Sequence, residues 1–389
     1  MKVLIALTYY HPHLSGLTVY GKRLAEALAI KGHEVTVLCS QHHESLPSFE
    51  ILNGVFIKRV PVSFFINKGA VMPSYLKAFT PLFRNNDILS LHLPNTPMEA
   101  LSVLLTAARI PSKPIIATYH CDLKLPKGVL NRLADFFVFL GNISAGVVSS
   151  RIVAHTADYA QHSKFLKLFK GRLDIIPPPL IMPQPQLEDT LLFRSRHASK
   201  EESLIGFAAR FATEKGIEYL LGAIPLISES LNNFKIIFVG ECQNVIGEHK
   251  YRKHLEPLLD KYRAYLSFAG VLSQEDMPLF FSACDIVVLP SVNSTESFGM
   301  VQVESMLCGT PVVTTNIPGV RVPVQETKMG RIVHPKDSEA LASAIIDVIM
   351  NRDKYVFPKS HIEEYYSLER TTETYENLFK TVIRNHGKY

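Results

Sequence analysis

The sequence predicts an α/β protein that contains two doubly wound parallel sheets. Its 389 residues exceed what one typical hydrophobic core holds, so two domains are expected. Short apolar, β-branched segments alternate with amphipathic ones, which is the pattern of parallel strands joined by right-handed helical crossovers. Five prolines between Pro177 and Pro185 interrupt this alternation. We therefore predict an N-terminal domain over residues 1–183, a C-terminal domain over 184–366 and a closing helix within 367–389.

In the first half, the residues from Thr18 to Lys31 place apolar side chains at helical spacing and end at Gly32, so they predict the first helix. The predicted strands of this half are Lys2–Thr8, Glu34–Cys39, Ile88–His92, Ile115–His120, Gly146–Ser150, Ile152–His155 and Asp174–Ile176.

The same alternation returns in the second half, where Ile217–Ile227 predicts a helix and Ser367–Arg384 the closing helix. The predicted strands here are Leu204–Phe207, Phe234–Val239, Leu266–Phe268, Ile286–Leu289 and Pro311–Thr315.

Composition favours a cytoplasmic protein. The five cysteines include no Cys-x-x-Cys pair, so they indicate neither a zinc site nor a disulfide framework. The apolar start, residues 1–7, is too short for a signal peptide and reads as a first strand. No run reaches 18 apolar residues; the most apolar stretch, 133–148, is interrupted by Asp135 and Asn142. We expect no metal site.

The charge is unevenly distributed along the chain. Residues 1–180 carry 19 Lys and Arg against 10 Asp and Glu, and the remainder carries 22 against 26. A basic first half indicates an anionic partner. No nucleic-acid motif is present and the chain has no Trp, so a membrane surface or a phosphate-bearing acceptor is favoured over nucleic acid. The aromatic segment 64–83 leaves two interpretations open, a packed connection and an acceptor or membrane-contact surface.

The most informative segment runs from Pro290 to Val313. A buried strand precedes it, a helix is predicted from Gly299 to about Cys308, and Gly309 and Pro311 end that helix. The unpaired N–H groups at the start of such a helix favour a phosphate. Two acids, Glu296 and Glu304, lie eight positions apart around this start. An acid beside this helix start would repel a bound phosphate unless its side chain reached past the phosphate to hydroxyl groups. The two acids therefore indicate a ligand with a sugar on one side of the phosphate and a ribose on the other.

A basic loop supplies further phosphate ligands. Arg210 and Lys215 follow a predicted strand and precede the helix from Ile217, at a strand end where doubly wound folds bind ligands. Two cations and a helix start can neutralise a diphosphate leaving group without a metal.

These motifs resemble the retaining family-4 glycosyltransferases of GT-B fold. The resemblance rests on Glu296 and Glu304 with Phe-Gly-Met-Val between them and Gly-Thr-Pro-Val-Val after them, on the Arg210–Lys215 loop, and on Val-Gly-Glu and Ala-Gly-Val stretches after two further strands. It implies two Rossmann-like domains facing a deep cleft, the first binding the acceptor and the second the nucleotide sugar. It also implies that the C-terminal helix returns to the N-terminal domain.

The resemblance implies roles for individual residues. Glu304 would hold the ribose hydroxyls and Glu296 those of the donor sugar, while Arg210 and Lys215 would stabilise the leaving phosphate. His120 would contact the acceptor or the transferred sugar. The implied catalytic residues are His120, Arg210, Lys215 and Glu296, and the implied donor-binding residues are Gly16, Arg210, Lys215, Gly240, Val271, Glu296, Phe298, Gly299, Met300, Val301 and Glu304.

The chain departs from the family pattern in three places. Ser15 stands where the first-half loop commonly has a glycine, Ala209 replaces the usual glycine of the basic loop, and Arg321 lies where many members have Gly-Gly. The roles of Ser15 and Arg321 stay open.

The resemblance implies a retaining hexosyltransferase of the cytoplasm that requires no cofactor. Transfer would follow a front-face route, with UDP-glucose as the expected donor. The expected acceptor is a polysaccharide or polyprenyl-linked sugar, which leaves open a peripheral contact with an anionic membrane at the inner face and a role in exopolysaccharide synthesis. Two alternatives remain: a non-catalytic GT-B-like nucleotide-binding protein and an NAD-dependent oxidoreductase, although no Gly-x-Gly-x-x-Gly follows a strand.

Overall fold

The protein is described from a computed structural model that covers residues 1–66, 69–124, 128–243, 245 and 247–386. Residues 67–68 of the aromatic segment and 387–389 of the predicted closing helix therefore lie outside the described residues. The chain divides into two compact units. Unit 1 comprises Met1–Pro179 and the C-terminal segment that begins at Ser367, and unit 2 comprises Leu180–Tyr366. The boundary thus falls at Pro179, slightly before the predicted residue 183.

Strands are numbered in chain order. They are β1 (Lys2–Ala6), β2 (Glu34–Gln41), β3 (Phe49–Leu52), β4 (Val55–Pro61), β5 (Phe64–Ile66), β6 (Gly69–Val71), β7 (Ile88–Leu93), β8 (Ile115–Tyr119), β9 (Arg151–Ala154), β10 (Leu173–Ile175), β11 (Ser203–Ala208), β12 (Phe234–Val239), β13 (Leu266–Gly270), β14 (Ile286–Leu289), β15 (Val312–Thr315) and β16 (Gly330–Val333).

Helices are numbered in the same way. They are α1 (Gly16–Ile30), α2 (Tyr75–Asn85), α3 (Pro97–Arg109), α4 (Val129–Val148), α5 (Ala157–His162), α6 (Leu187–Ser195), α7 (Ile217–Ser230), α8 (His249–Lys261), α9 (Met277–Ala283), α10 (Met300–Leu307), α11 (Val322–Thr327), α12 (Ser338–Met350), α13 (Lys359–Glu363) and α14 (Leu368–His386).

Unit 1 is built on an eight-stranded sheet with the order β10-β9-β8-β7-β1-β2-β4-β3. Every pairing in it is parallel except the hairpin of β3 with β4. Strands β1, β7 and β8 are buried along nearly their whole length, as parallel strands covered on both faces must be. Helices α2, α3 and α4 contribute Phe79, Val103 and Ala145 to the core on one face.

Unit 2 contains a fully parallel six-stranded sheet with the order β13-β12-β11-β14-β15-β16. One face packs on α7, α8 and α12 through side chains that include Leu220, Leu255 and Ile345. The other face packs on α9 and α10, with Phe280 and Met306 among its core residues. Helices therefore cover both faces, which confirms the predicted doubly wound α/β architecture.

The C-terminal helix packs in unit 1 against α1. Tyr375 of α14 is fully buried, and its hydroxyl lies 2.6 Å from the hydroxyl of Tyr20 on α1 and 2.9 Å from that of Thr118 on β8. The hydroxyl of Thr371 donates to the carbonyl of Pro177 at 3.1 Å. These bonds tie the helix to the sheet of unit 1, so the predicted return of the closing helix is confirmed.

Two predictions about the first half need correction. Residues Gly146–Ser150, predicted as a strand, mostly form the end of α4. The run is small and apolar because it packs closely: a Cβ at Gly146 would lie 2.7 Å from the ring of Phe169. The segment 64–83 contains more regular structure than a connection needs, since it includes the strands β5 and β6 and the helix α2. Its second part is packed as one interpretation expected, with Tyr75 and Phe79 buried in the core of unit 1. Among the described residues, no helix is both long and apolar enough to cross a bilayer.

Candidate active site

The predicted donor-binding residues of the second half gather at the point where the strand order of unit 2 reverses. From β11 the chain proceeds outward to β12 and β13, then returns to β14 on the other side of β11 and continues to β15 and β16. The crossovers on either side of β11 and β14 run in opposite directions, which opens a crevice at the carboxyl ends of these two strands. Arg210 and Lys215 follow β11, and Glu296 follows β14.

The two loops that line this crevice are joined through backbone. The N–H of Val292 donates to the carbonyl of Glu214 at 2.9 Å. Gly216 adopts φ +65°, and a Cβ there would lie 2.3 Å from the carbonyl oxygen of Pro290. Only a glycine allows this approach together with this backbone conformation. The side chain of Lys215 is thereby held beside the loop that carries Glu296.

Lys215 and Glu296 form an ion pair between Nζ and Oε2, and their side chains are only 18% and 16% exposed. An ammonium group has three N–H donors, so Lys215 can bind Glu296 and still donate to a phosphate oxygen. Arg210 donates to Glu214 at 3.0 Å and is 40% exposed, which leaves most of its guanidinium donors accessible. A carboxylate and two cations thus lie in the loops at the carboxyl end of the sheet.

The basic loop is anchored by hydrogen bonds to Glu248, a residue that the sequence analysis did not identify. Glu248, which is 4% exposed, accepts hydrogen bonds from the N–H of Thr213 at 3.2 Å and from its hydroxyl at 2.7 Å. Both bonds lie at the start of the short turn Thr213–Lys215. Glu248 is 35 residues distant in sequence and belongs to no motif, so only the tertiary fold reveals this contact.

Helix α10 begins at the same crevice. Gly299 precedes it with φ +75°, and a Cβ there would lie 2.4 Å from Leu289. The N–H groups of Met300 and Val301 belong to the first turn, which has no acceptors within the helix and carries the positive end of the helix dipole. The ring of Phe298 is 2% exposed and packs edge-on against Tyr366 at 5.5 Å, so any ligand contact from Phe298 would come from its backbone.

Glu304 lies within α10 and is 6% exposed. It is therefore a buried acid rather than a solvated surface charge, which is the less common state of a glutamate. The structure brings Glu296 into contact with Lys215. The predicted bond of Glu304 to ribose hydroxyls stays a prediction.

The remaining donor-binding predictions follow the neighbouring strands. Gly240 comes after β12, where its φ of +125° and a Cβ position 2.6 Å from the carbonyl of Ala209 again require glycine. Its N–H donates to Gly270 at the end of β13 at 2.8 Å. Val271 follows and is 54% exposed. The carboxyl ends of β11, β12 and β13 are thus held side by side.

Unit 1 has its own reversal of strand order, between β1 and β7. Here the hydroxyl of Thr8, just beyond β1, donates at 2.7 Å to Oε2 of Glu99 on α3. Thr96 donates to the same oxygen through its N–H at 2.8 Å and its hydroxyl at 2.7 Å. Glu99 is fully buried, and burial raises the pKa of its carboxyl.

Polar atoms beside this carboxylate lack protein partners. Among the described residues, Oε1 of Glu99, both amide atoms of Asn95 and the hydroxyl of Tyr75 are buried without a hydrogen bond. Such atoms need water or ligand hydroxyls to offset the cost of burial. The sequence analysis missed this cluster, although Thr96-Pro97-Met98-Glu99 carries the signal of a helix capping box.

Gly16 and His120, the two site residues predicted in the first half, occupy different settings. Gly16 is the first residue of α1, after the N-cap Ser15, whose side chain and backbone form a capping box with Thr18. Among the described residues, no atom other than those of its chain neighbours and its own helix backbone lies within 4 Å of a Cβ built at Gly16, so packing there does not require glycine. The predicted role of Gly16 is compatible with this open space and stays a prediction.

His120 lies in a buried chain of three histidines. Its Nε2 is 2.9 Å from Nδ1 of His92, and its Nδ1 is 3.3 Å from Nε2 of His155. The ring of Tyr20 packs edge-on against His120 at 4.8 Å. Both ring nitrogens thus face other histidines. The predicted contact of His120 with the acceptor or the transferred sugar stays a prediction.

Burial keeps the three imidazoles neutral. It lowers the pKa of His92 to about 3 and that of His155 to about 4, and it lowers the pKa of His120 well below its usual range. A neutral imidazole has one N–H and one acceptor nitrogen. His120 therefore donates to one neighbour and accepts from the other, so the chain has a direction.

Comparison with known proteins identifies the class. Residues 189–362 match the model of the glycosyl transferases group 1, and residues 14–180 match that of Glycosyltransferase Family 4. A phosphatidyl-myo-inositol mannosyltransferase of Mycobacterium leprae is 25% identical over 391 residues, covering 96% of this chain and 95% of that protein. An O-antigen chain mannosyltransferase C of Escherichia coli is 24% identical over 399 residues, covering 99% and 100%.

A solved structure shows the same fold. The Anabaena protein HepE in complex with UDP and glucose superposes with a TM-score of 0.79 at 18% identity, covering 98% of this chain and 100% of that one. The chain is therefore a glycosyltransferase with the GT-B fold. Within that class it resembles glycosyltransferase family 4, as the motifs around Glu296 and Glu304 predicted.

We expect the buried histidines to make unit 1 labile to acid. The unfolded chain binds protons with a histidine pKa near 6.5, whereas the folded values are about 3 for His92 and about 4 for His155. The stability due to these neutral histidines is complete above about pH 6.5 and is lost as the pH falls toward 4. For His155 the loss is on the order of 3 kcal/mol. Urea unfolding at a series of pH values measures it.

Two variants serve this test. His155→Gln should flatten the pH dependence of the unfolding free energy, whereas His162→Gln, at a half-exposed position, should leave it unchanged. Equal slopes for wild type and His155→Gln would contradict the assignment.

Gly216→Ala should lower the unfolding free energy of unit 2 by more than the cost of placing alanine in a left-handed backbone conformation. The new Cβ would press on the carbonyl of Pro290 and separate the two loops. Gly309→Ala is the matched control, because Gly309 has φ +82° with no atom within 4 Å of a Cβ position, and it should cost roughly 1–2 kcal/mol. Urea unfolding compares the two. An equal loss at both positions would show that the close approach at Gly216 is not stabilising.

Proposed function

We propose that the protein transfers a hexosyl group, with retention of anomeric configuration, from a nucleotide sugar to a polysaccharide or lipid-linked sugar. The observation that supports this best is the pairing of Lys215 with Glu296 at the reversal of strand order in unit 2. A nucleotide sugar combines a diphosphate with sugar hydroxyls. A cation and a carboxylate in contact provide for both, because the ammonium group donates to phosphate and the carboxylate accepts from hydroxyls.

The geometry of unit 2 supports the donor-side roles that we propose. Arg210 and Lys215, with the N–H groups at the start of α10, would stabilise the charge that develops on the departing β-phosphate. Glu296 would accept from hydroxyls of the donor sugar, and Glu304 would bind the ribose. The backbone near Val271 would lie along the base. The front-face route is the one that the family resemblance implies, and these roles are compatible with it.

Two nucleotide hexoses are candidates for the donor. UDP-glucose is the donor expected from the sequence, and the structurally similar HepE was solved with UDP and glucose. The two relatives of similar sequence named above are mannosyltransferases, which supports a mannosyl donor such as GDP-mannose. UDP-glucose and GDP-mannose are therefore the two donors to compare.

The acceptor would bind in unit 1. The buried carboxylate of Glu99 and the amide of Asn95 offer unpaired hydrogen-bonding atoms at the reversal of strand order, the place where α/β sheets bind ligands. A glycan acceptor presents hydroxyl groups that suit such atoms. The basic charge of the first half favours an acceptor carrying phosphate, and we place the protein in the cytoplasm, in peripheral contact with the inner membrane face.

Donor binding should raise the unfolding temperature of the wild type. A ligand at 100 times its dissociation constant adds about 2.7 kcal/mol, which shifts a midpoint by several degrees. The panel comprises UDP, GDP, UDP-glucose, GDP-mannose and NAD. Glu304→Ala should abolish the shift, and Glu256→Ala, at an exposed helical glutamate of the same unit, should retain it. A shift with NAD alone would contradict the proposal, and an unaltered shift in Glu304→Ala would remove that residue from the site.

Retention can be tested without knowing the acceptor. Slow hydrolysis of the bound donor should release a sugar whose first-formed anomer matches the donor, as followed by NMR before mutarotation. Lys215→Ala should lower the rate by on the order of 10²–10³, because one stabiliser of the leaving phosphate is lost. Lys354→Ala, at an exposed lysine of unit 2, is the control. Release of the opposite anomer would exclude a retaining mechanism.

A further inference from the structure

Unit 1 carries an exposed apolar face made of three elements that are distant in sequence. The face comprises side chains that are between 36% and 60% exposed: Phe64, Phe65, Ile66, Met98, Leu101, Leu105, Leu133, Phe136, Phe137 and Leu140. They belong to strand β5 of the β5–β6 hairpin, to α3 and to α4. We call this set the apolar face.

The periodicity of α4 shows that this exposure is a property of the helix rather than of one stray residue. Leu133, Phe136, Phe137 and Leu140 stand at i, i+3, i+4 and i+7, which places them on one side of the helix. The opposite side is directed inward at Ala145, which belongs to the core of unit 1. The helix is therefore apolar on both its inward and its outward side, which is unusual for a helix on a protein surface.

The three elements are neighbours in space. A Cβ at Gly141 of α4 would lie 3.1 Å from Cβ of Ala100 on α3, so the two helices pack closely. A Cβ at Gly69 of the hairpin would lie 3.8 Å from the methyl group of Thr96, the N-cap of α3. The three segments that carry the exposed side chains are therefore neighbours, and exposed apolar patches of this kind mark interaction sites.

The exposed charges on the helices of this region have one sign. Within the described residues of α2, α3 and α4, the exposed charged side chains are all basic: Lys77, Arg84, Arg109 and Arg132. The two acids of these helices do not offset them at the surface, since Glu99 is fully buried and Asp135 is partly buried. Helix α2 lies beside α3, with the hydroxyls of Thr80 and Thr106 3.0 Å apart.

We propose that the apolar face is the surface by which the protein docks on an anionic lipid bilayer, with Phe136 and Phe137 inserted among the lipids. This deepens the membrane contact of the proposed function by naming its surface, and it rests on that function. Aromatic and aliphatic side chains enter the boundary between headgroups and acyl chains, while Lys and Arg at the rim bind anionic headgroups. An apolar face on helices whose exposed charges are all basic matches such a bilayer. A second copy of the same face would instead bring like charges together.

Vesicle binding by the full chain tests this proposal. Wild type should sediment with vesicles of phosphatidylcholine and phosphatidylglycerol and much less with phosphatidylcholine alone. Phe136→Glu/Phe137→Glu should weaken binding to the anionic vesicles by about tenfold or more, because two rings that insert into the lipid are replaced by charged side chains. Leu191→Glu/Leu192→Glu on α6 of unit 2 is the matched control, since those leucines are 56% and 53% exposed against 54% for each phenylalanine. It should bind as wild type does.

A charge variant tests these basic side chains separately. Lys77→Gln and Arg132→Gln should each weaken binding to the anionic vesicles by roughly fivefold, the share of one basic residue at an anionic surface. Neither should alter the weak binding to phosphatidylcholine. Equal binding of wild type to both kinds of vesicle, or unaltered binding of the double phenylalanine variant, would overturn the proposal.

Two further measurements distinguish a failure of the docking surface from a failure of the proposed donor site. Each variant is also tested for the thermal shift with nucleotide sugar. A wild type that binds donor but not vesicles overturns the docking surface alone, and one that binds vesicles but no donor overturns the donor site alone. Sedimentation velocity completes the set. A wild-type dimer that Phe136→Glu/Phe137→Glu dissociates would identify a second copy as the occupant and overturn the lipid assignment.

Discussion

The candidate site depends on one constraint of parallel sheets. Two neighbouring strands whose crossovers run in opposite directions cannot both be followed by loops that fold over the same helix, so a crevice opens at their carboxyl ends. In unit 2 this occurs between β11 and β14. The loops after these strands must face each other there, which places Lys215 against Glu296 although they are 81 residues apart. The position of the ion pair is thus a consequence of strand order.

Glycine determines how closely the loops at this crevice approach. At Gly216, Gly240 and Gly299 the backbone adopts positive φ, and a Cβ would lie within 2.6 Å of a neighbouring atom. These three positions bring backbone rather than side chains to the strand ends. The N–H groups at the start of α10, just after Gly299, are of the kind that can bind a phosphate. The three glycines therefore determine how closely the loops around this helix start can pack.

The sequence predicted those features that are local. Strands β12 and β14 were predicted to the residue, and the helix after Gly299 was predicted because its start and end signals lie within a dozen positions. Features assembled from distant segments were missed or misjudged. Glu248 belongs to no motif, and the setting of His120 depends on His92 and His155 from two other strands. The end of α4 was mistaken for a strand because a short apolar run fits either element.

The same distinction explains why the basic loop of unit 2 is easier to predict than the polar cluster of unit 1. Residues such as Arg210 and Lys215 share one loop, so their spacing carries the information. In unit 1 the polar cluster joins Thr8 after β1 to Asn95 and Glu99 after β7, and its members are recognised only when the strand order is known. Each buried polar atom without a partner costs about 1–3 kcal/mol if it stays unpaired. A fold that keeps several of them beside a reversal of strand order therefore requires water or ligand hydroxyls there, which supports our proposal that the acceptor binds at this cluster.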